Sequence, residues 1–287
     1  MKYRLKNNIE KYDNTFYIIN ELLRLLPTIA RDVMEKIPEN SNFSKNPDDP
    51  KEHAEHWHQF GIISHTQAFI RAYKDEAHHY FKKWNLELKI NAKLYEKVDG
   101  ITKRELLGIS GVLHDIGKFA RTFKMYDSKL EPTYFQHEAK SEILIKESRM
   151  IYSLLKGTHK LTENHIDFIA RCAGLHFELG KTRNAIKESS LGFTIAFANS
   201  RECEKVFKEI ATEHPLFKIE IGLLFLYDSL AKTDVRIEVK TDEEIEQKST
   251  EIDLIIAKRN LNPKLKAAIQ QLPVNIELVK KYLESVC

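Results

Sequence analysis

The strongest constraint on this chain is a helix that must be buried on every side and yet ends in two polar residues. Thr102-Lys103-Arg104-Glu105 is a capping box, in which a threonine and a glutamate three residues on satisfy each other's backbone amides. Leu106, Leu107, Ile109, Val112, Leu113 and Ile116 follow, spread over all faces, and Gly108 and Gly111 give room for close helix approach. Such a helix belongs in the interior of a helical protein. It ends at His114-Asp115, with Gly117 and Lys118 close behind. Neighbouring helical residues point about 100° apart, so an imidazole and a carboxylate side by side seldom both suit a core. A metal ion is one partner that takes both. A plain helix terminus, with Gly117 as cap and Lys118 against the dipole, is the competing account.

The rest of the chain supplies further candidates. Residues 14–37 form an amphipathic stripe (Phe16, Ile19, Leu22, Leu23, Leu26, Ile29, Val33), which Pro27 is expected to kink or divide. Residues 38–50 are rich in Pro, Asn, Ser and Asp and read as a loop or linker. Residues 52–83 read as a helix crowded with histidine. There His65 has apolar neighbours, Ile62 and Ile63, whereas His78 and His79 lie among charged residues and His53, His56 and His58 read as a solvated helix start. A loop carrying Arg121, Lys124, Tyr126 and Pro132 leads to His137-Glu138 at the next helix start. A later inward-facing helix stops at Gly174-Leu175-His176; His159 and His165 compete with His176 but read as surface residues. Asp228 follows the apolar run Ile221–Tyr227, with Lys232 one turn on as an ion-pair partner and Asp234 as the rival carboxylate. Val235–Lys240 alternates like a short strand, and two more helices follow.

Leu113-His114-Asp115-Ile116-Gly117-Lys118, the His65-Thr66 pair, His137-Glu138, His176 and Asp228 together resemble the HD superfamily of metal-dependent phosphohydrolases, over about residues 56–234. The resemblance implies an all-α helical bundle with 51–234 as the catalytic core; it leaves both ends uncovered, where 1–50 reads as an N-terminal arm and linker and 235–287 as a helical extension, both expected to pack outside the core. It implies that His65, His114, Asp115 and Asp228 hold one divalent ion and that His137 and His176 help to hold a second. Asp115 and Lys118 become the catalytic residues, Lys118 and Arg121 the substrate contacts, and Glu138 an orienting group. Histidine with carboxylate suits Mn, Fe, Co, Ni or Zn better than Mg or Ca. The implied reaction is attack of metal-activated hydroxide on a nucleotide or other small phosphate ester. A di-iron oxygenase on the same ligands, or a metal-retaining nucleotide-binding or regulatory module, are the alternatives.

Composition narrows the partners. The net charge of +3 gives no indication of nucleic acid. Three scattered cysteines, Cys172, Cys203 and Cys287, form no disulfide framework and fit a reducing cytoplasm. No apolar run approaches a membrane-spanning length, so a cytoplasmic protein is expected, and the resemblance implies a small phosphorylated substrate. Oligomeric state leaves no signature.

Overall fold

Helix makes up 72% of the chain and strand 4%, so the protein is all-α. The computed structural model describes residues 2–37, 46–126, 129–186 and 192–287. The principal helices are α1 (Lys2–Glu35), α2 (Ile62–Arg71), α3 (Lys103–Leu113), α4 (His137–Glu147), α5 (Glu163–Leu175), α6 (Arg201–Glu213), α7 (Lys218–Ala231) and α8 (Lys266–Val286). Among the described residues the only strands are two antiparallel hairpins, β1–β2 (Lys97–Val98 with Ile101–Thr102) and β3–β4 (Thr122–Tyr126 with Lys129–Thr133). The second hairpin stands where a loop was expected. Val235–Lys240 forms no strand: with no partner edge, Val235 and Ile237 pack instead on Ile252, Ile256, Leu265 and Ile269.

The fold divides into two compact units, each assembled from two stretches of chain. One comprises Met1–Pro47 and Leu94–Gly174, the other Asp48–Lys93 and Leu175–Cys287.

In the first unit α3 packs on α1. Both bonds of the Thr102–Glu105 capping box are present, and every residue from Leu106 to Leu113 is buried. The facing stripe of α1 (Ile19, Leu22, Leu26, Ile29, Val33) is buried too, while Phe16 is exposed. α1 runs through Pro27 as one helix rather than dividing there. Buried residues on both sides of the proline hold the two turns in line, and only one backbone hydrogen bond is lost. Ser110 Oγ donates to the Ile169 carbonyl at 2.9 Å, tying α3 to α5.

In the second unit α7 is the central element: every residue from Ile219 to Ala231 is buried. α2 and α8 pack against it. Gly222 permits the approach of α8, since a Cβ there would stand 2.8 Å from the Leu283 side chain. The terminal segments were expected outside the core, and this needs correcting. α1 covers α3, and α8 buries Ile269, Leu272, Leu278, Val279, Tyr282 and Leu283. Each such aliphatic or aromatic side chain contributes about 1.5–3 kcal/mol when buried, so neither helix is an appendage. No described helix is long and apolar enough to cross a membrane.

Candidate functional site

The first unit places His114, Asp115, Lys118 and His137 together. α3 ends at Leu113, and Ile116–Lys118 continue as one 3-10 turn that carries Asp115. The His114 ring reaches back, its Nδ1 2.8 Å from the Gly111 carbonyl. Asp115 is buried; its Oδ2 accepts from Lys118 Nζ at 2.8 Å and lies 3.4 Å from His114 Nε2. Its Oδ1 lies 3.4 Å from His137 Nε2.

The glycine in this turn is required by the neighbouring backbone rather than by a left-handed cap. A Cβ on Gly117 would stand 2.0 Å from the His137 carbonyl and 2.7 Å from the Ser141 nitrogen, so α4 lies directly on the turn. Ser141 Oγ joins the two, donating to the His114 carbonyl at 2.7 Å and accepting from Gly117 N–H at 2.8 Å. His137 is aimed by Gln136, a non-glycine residue at φ 57°, a conformation that costs energy and is kept where structure around it demands it. The Nδ1 of His137 lies 3.0 Å from the Tyr134 carbonyl, with Glu138 Oε2 at 3.4 Å from the same nitrogen.

The second unit repeats the arrangement with residues far apart in the chain. Asp48 accepts from Ser64 N–H at 2.7 Å and from its hydroxyl at 2.6 Å, fixing the first turn of α2. Gly61 allows that contact, because a Cβ would stand 2.1 Å from the Asp48 backbone. His65, fully buried, then presents Nδ1 3.2 Å from the Ala231 carbonyl and Nε2 3.1 Å from Asp228 Oδ1. Asp228 Oδ2 accepts from Lys232 Nζ at 3.0 Å, so the ion-pair reading and the ligand reading of this carboxylate coexist. His176, the residue after α5, is buried.

These contacts bear on a metal directly. A carbonyl oxygen can only accept, so the Nδ1 atoms of His65, His114 and His137 carry the ring hydrogen and each Nε2 of a neutral ring carries a lone pair. All three lone pairs face carboxylate oxygens, at 3.1, 3.4 and 3.4 Å. Such a pair is reconciled either by a proton on Nε2, which then donates to the carboxylate, or by a metal ion that takes both as ligands. A charge-assisted N–H···O bond would be about 2.7–2.9 Å, whereas two ligands of one tetrahedral or octahedral transition metal stand about 3.0–3.4 Å apart. The distances are compatible with two ligands of one ion, and donation of Nδ1–H to carbonyls is how metal-ligating histidines are held. The donor set therefore fits a divalent transition metal.

Several expectations about neighbouring residues are corrected. His53 and His58 are buried rather than solvated. The chain here is not a helix: Asp49 caps a 3-10 turn, Pro50–His53, that ends at Ala54 with φ 53°. Gln59 then ties the loop to the end of α7 through N–H to the Lys232 carbonyl and Oε1 to Thr233 and Asp234. His53 and His58 stack at 3.8 Å, and ring nitrogens of both approach His65 within 4.8 Å. His56, His78 and His79 are exposed. Arg121, expected in an exposed loop, is buried.

His159 and His165 are not surface residues either. The His159 ring lies against Glu21, with Nε2 at 3.3 Å from the carboxylate, and burial holds its imidazole below the usual value. His165 has both nitrogens on backbone, Nε2 to the Val98 carbonyl at 2.8 Å and Nδ1 accepting from Thr162 N–H at 3.1 Å, so it has no nitrogen left for a metal. Asp234, the rival of Asp228, is an exposed partner of Arg259 at 2.5 Å. No family model matches the chain, and no curated protein matches it.

Proposed function

We propose that this protein is a metal-dependent phosphohydrolase acting on a nucleotide or related small phosphate ester. The observation that carries the reading is the set of imidazole–carboxylate pairs at 3.1–3.4 Å, a spacing compatible with two ligands of one ion. The proposed ligands are His114, Asp115 and His137 in the first unit and His65, His176 and Asp228 in the second, for ions of the Mn, Fe, Co, Ni or Zn group. Such an ion, when bound, supplies a hydroxide at neutral pH and withdraws charge from phosphoryl oxygens.

The chain's own residues then have separate tasks. Asp115 and Asp228 provide the anionic ligands, each held in place by a lysine. The backbone carbonyls of Gly111, Tyr134 and Ala231 orient the imidazoles. Lys118, which pairs with Asp115, is proposed as the cationic contact to a phosphate oxygen. Arg121 is proposed as a second contact to that phosphate. The test is phosphate release from a panel of nucleotides and simple phosphate esters by protein loaded in turn with each metal, with bound metal measured by elemental analysis. Metal uptake with phosphate release supports the reading; uptake of iron with substrate-dependent oxygen consumption and no phosphate release overturns it in favour of an oxygenase.

A further inference from the structure

Among the described residues, the second unit holds an arginine with few hydrogen-bond partners. Arg183 lies just after the 3-10 turn Glu178–Lys181. A guanidinium has five N–H donors. Among the described residues one hydrogen bond uses them, Nη2 to Gln271 Oε1 at 3.2 Å, and the buried Nε has no partner. Burial pushes the guanidinium down from its usual value, while the Asp228 carboxylate pushes it back up.

The surroundings are aromatic. The guanidinium carbon lies 4.9 Å from the centre of the Phe193 ring, 5.7 Å from Phe177 and 6.0 Å from Trp57. All three rings are half-buried, so they retain accessible surface. Lys232 Nζ stands over the same Phe177 ring at 5.4 Å and pairs with Asp228. Two cations are thus gathered beside one carboxylate, with flat rings around them. Rings hold a guanidinium by their π faces, but they accept few of its hydrogen bonds.

We propose that Arg183 and its aromatic surround form the subsite for a nucleoside polyphosphate, with the guanidinium on a phosphate beyond the scissile group and the base against Trp57, Phe177 and Phe193. This inference rests on the phosphohydrolase reading for the role of Asp228, but the binding it describes needs no turnover. An arginine presents a planar fork that matches phosphate oxygens. Bases stack on aromatic faces whatever their identity. Together the two features select a ligand with an anionic chain joined to a flat ring system.

The chain has two tryptophans, Trp57 and Trp84, so Trp84→Phe isolates the emission of Trp57. In that background, titration with ATP in the presence of EDTA is expected to quench Trp57 to saturation. Arg183→Gln should weaken the ATP dissociation constant by about ten- to a hundredfold, and Arg183→Lys by less. Inorganic triphosphate should compete. On otherwise unaltered protein, ATP should protect Arg183 from phenylglyoxal, read by mass spectrometry, so the result does not depend on whether a variant folds. Unchanged affinity in Arg183→Gln, or no protection of Arg183, overturns the proposal. Phosphate release by the metal-loaded wild type across the panel of nucleotides and phosphate esters is the separate control. Binding without it removes the phosphohydrolase reading and keeps the subsite, whereas hydrolysis without Arg183-dependent binding does the reverse.

Discussion

The two units arrive at one local chemistry by different routes. In the first, Asp115 stands beside the imidazoles of His114 and His137 with Lys118 on its other oxygen. In the second, Asp228 stands beside His65 with Lys232 on its other oxygen. Each pairing has an imidazole held by a main-chain carbonyl, a buried carboxylate and a lysine that neutralises it. Each also depends on a glycine that lets backbone press against backbone, Gly117 under α4 and Gly61 against Asp48. The difference lies in distance along the chain. His114, Asp115 and Lys118 share a single turn, whereas His65 and Asp228 are 163 residues apart. The same charge arrangement is therefore not a by-product of one local motif. In each unit a lysine compensates a buried carboxylate that would otherwise be costly.

The parallel can be broken most decisively at the carboxylates. Asp115→Asn and Asp228→Asn should each lose bound metal and turnover together, measured by elemental analysis beside phosphate release. If one variant keeps a full complement of metal, the two carboxylates do different jobs and the parallel is superficial.

The glycines come next. Gly117→Ala and Gly61→Ala each place a Cβ about 2 Å from backbone atoms, which cannot yield as a side-chain end can. Each should cost about 3 kcal/mol of stability, read from the shift in urea midpoint at constant slope. A loss under about 0.5 kcal/mol at either would show that its turn relaxes freely.

The lysines sharpen the comparison. Lys118→Ala and Lys232→Ala should both retain metal, because the carboxylates remain. Phosphate release should fall about ten- to a hundredfold in Lys118→Ala, through loss of a charge-assisted contact worth about 1.5–3 kcal/mol. A change confined to KM would show equal binding of ground and transition states, and one in kcat a contact made in the transition state. An unchanged rate removes Lys118 from the mechanism.

The smallest effects belong to the serines. Ser141→Ala leaves the buried Gly117 N–H and His114 carbonyl without their bridge and should cost about 1–3 kcal/mol. Ser64→Ala removes one hydroxyl while its amide still caps on Asp48, and about 1 kcal/mol is expected. A loss under about 0.5 kcal/mol in Ser141→Ala would contradict the assignment of Ser141 as the bridge between turn and α4.

What the sequence made legible follows the same division. The capping box, the buried α3 and the His114-Asp115 turn could be read because their determinants lie within a few residues. Asp228 could be singled out because one carboxylate in an otherwise apolar helix needs compensation. The reason for Gly117 could not be read, since it depends on where α4 comes to lie. Nor could the burial of His53 and His58: their stretch looked helical, and it is the attachment of Gln59 to the end of α7 that folds it inward. Arg183 carried no signal, because Lys181-Thr182-Arg183 looks like ordinary solvated sequence until Trp57, Phe177 and Phe193 surround it. His165 was misplaced for a similar reason, its partner carbonyl lying 67 residues away.

The division of each unit into two stretches has a consequence for the order in which the protein can come into being. Met1–Pro47 must wait for Leu94–Gly174, and Asp48–Lys93 must wait for Leu175–Cys287, so neither unit is a continuous piece that a ribosome could release finished. Closing the chain between His65 and Asp228, 163 residues, costs about 2 kcal/mol more in loop entropy than closing it between Asp115 and His137. The pairing in the first unit can therefore form while the second half of the chain is still being made. His65 spends that interval without its carboxylate. Nascent chains arrested before residue 228 should accordingly protect the amides of α3 and leave those of α2 open to hydrogen exchange.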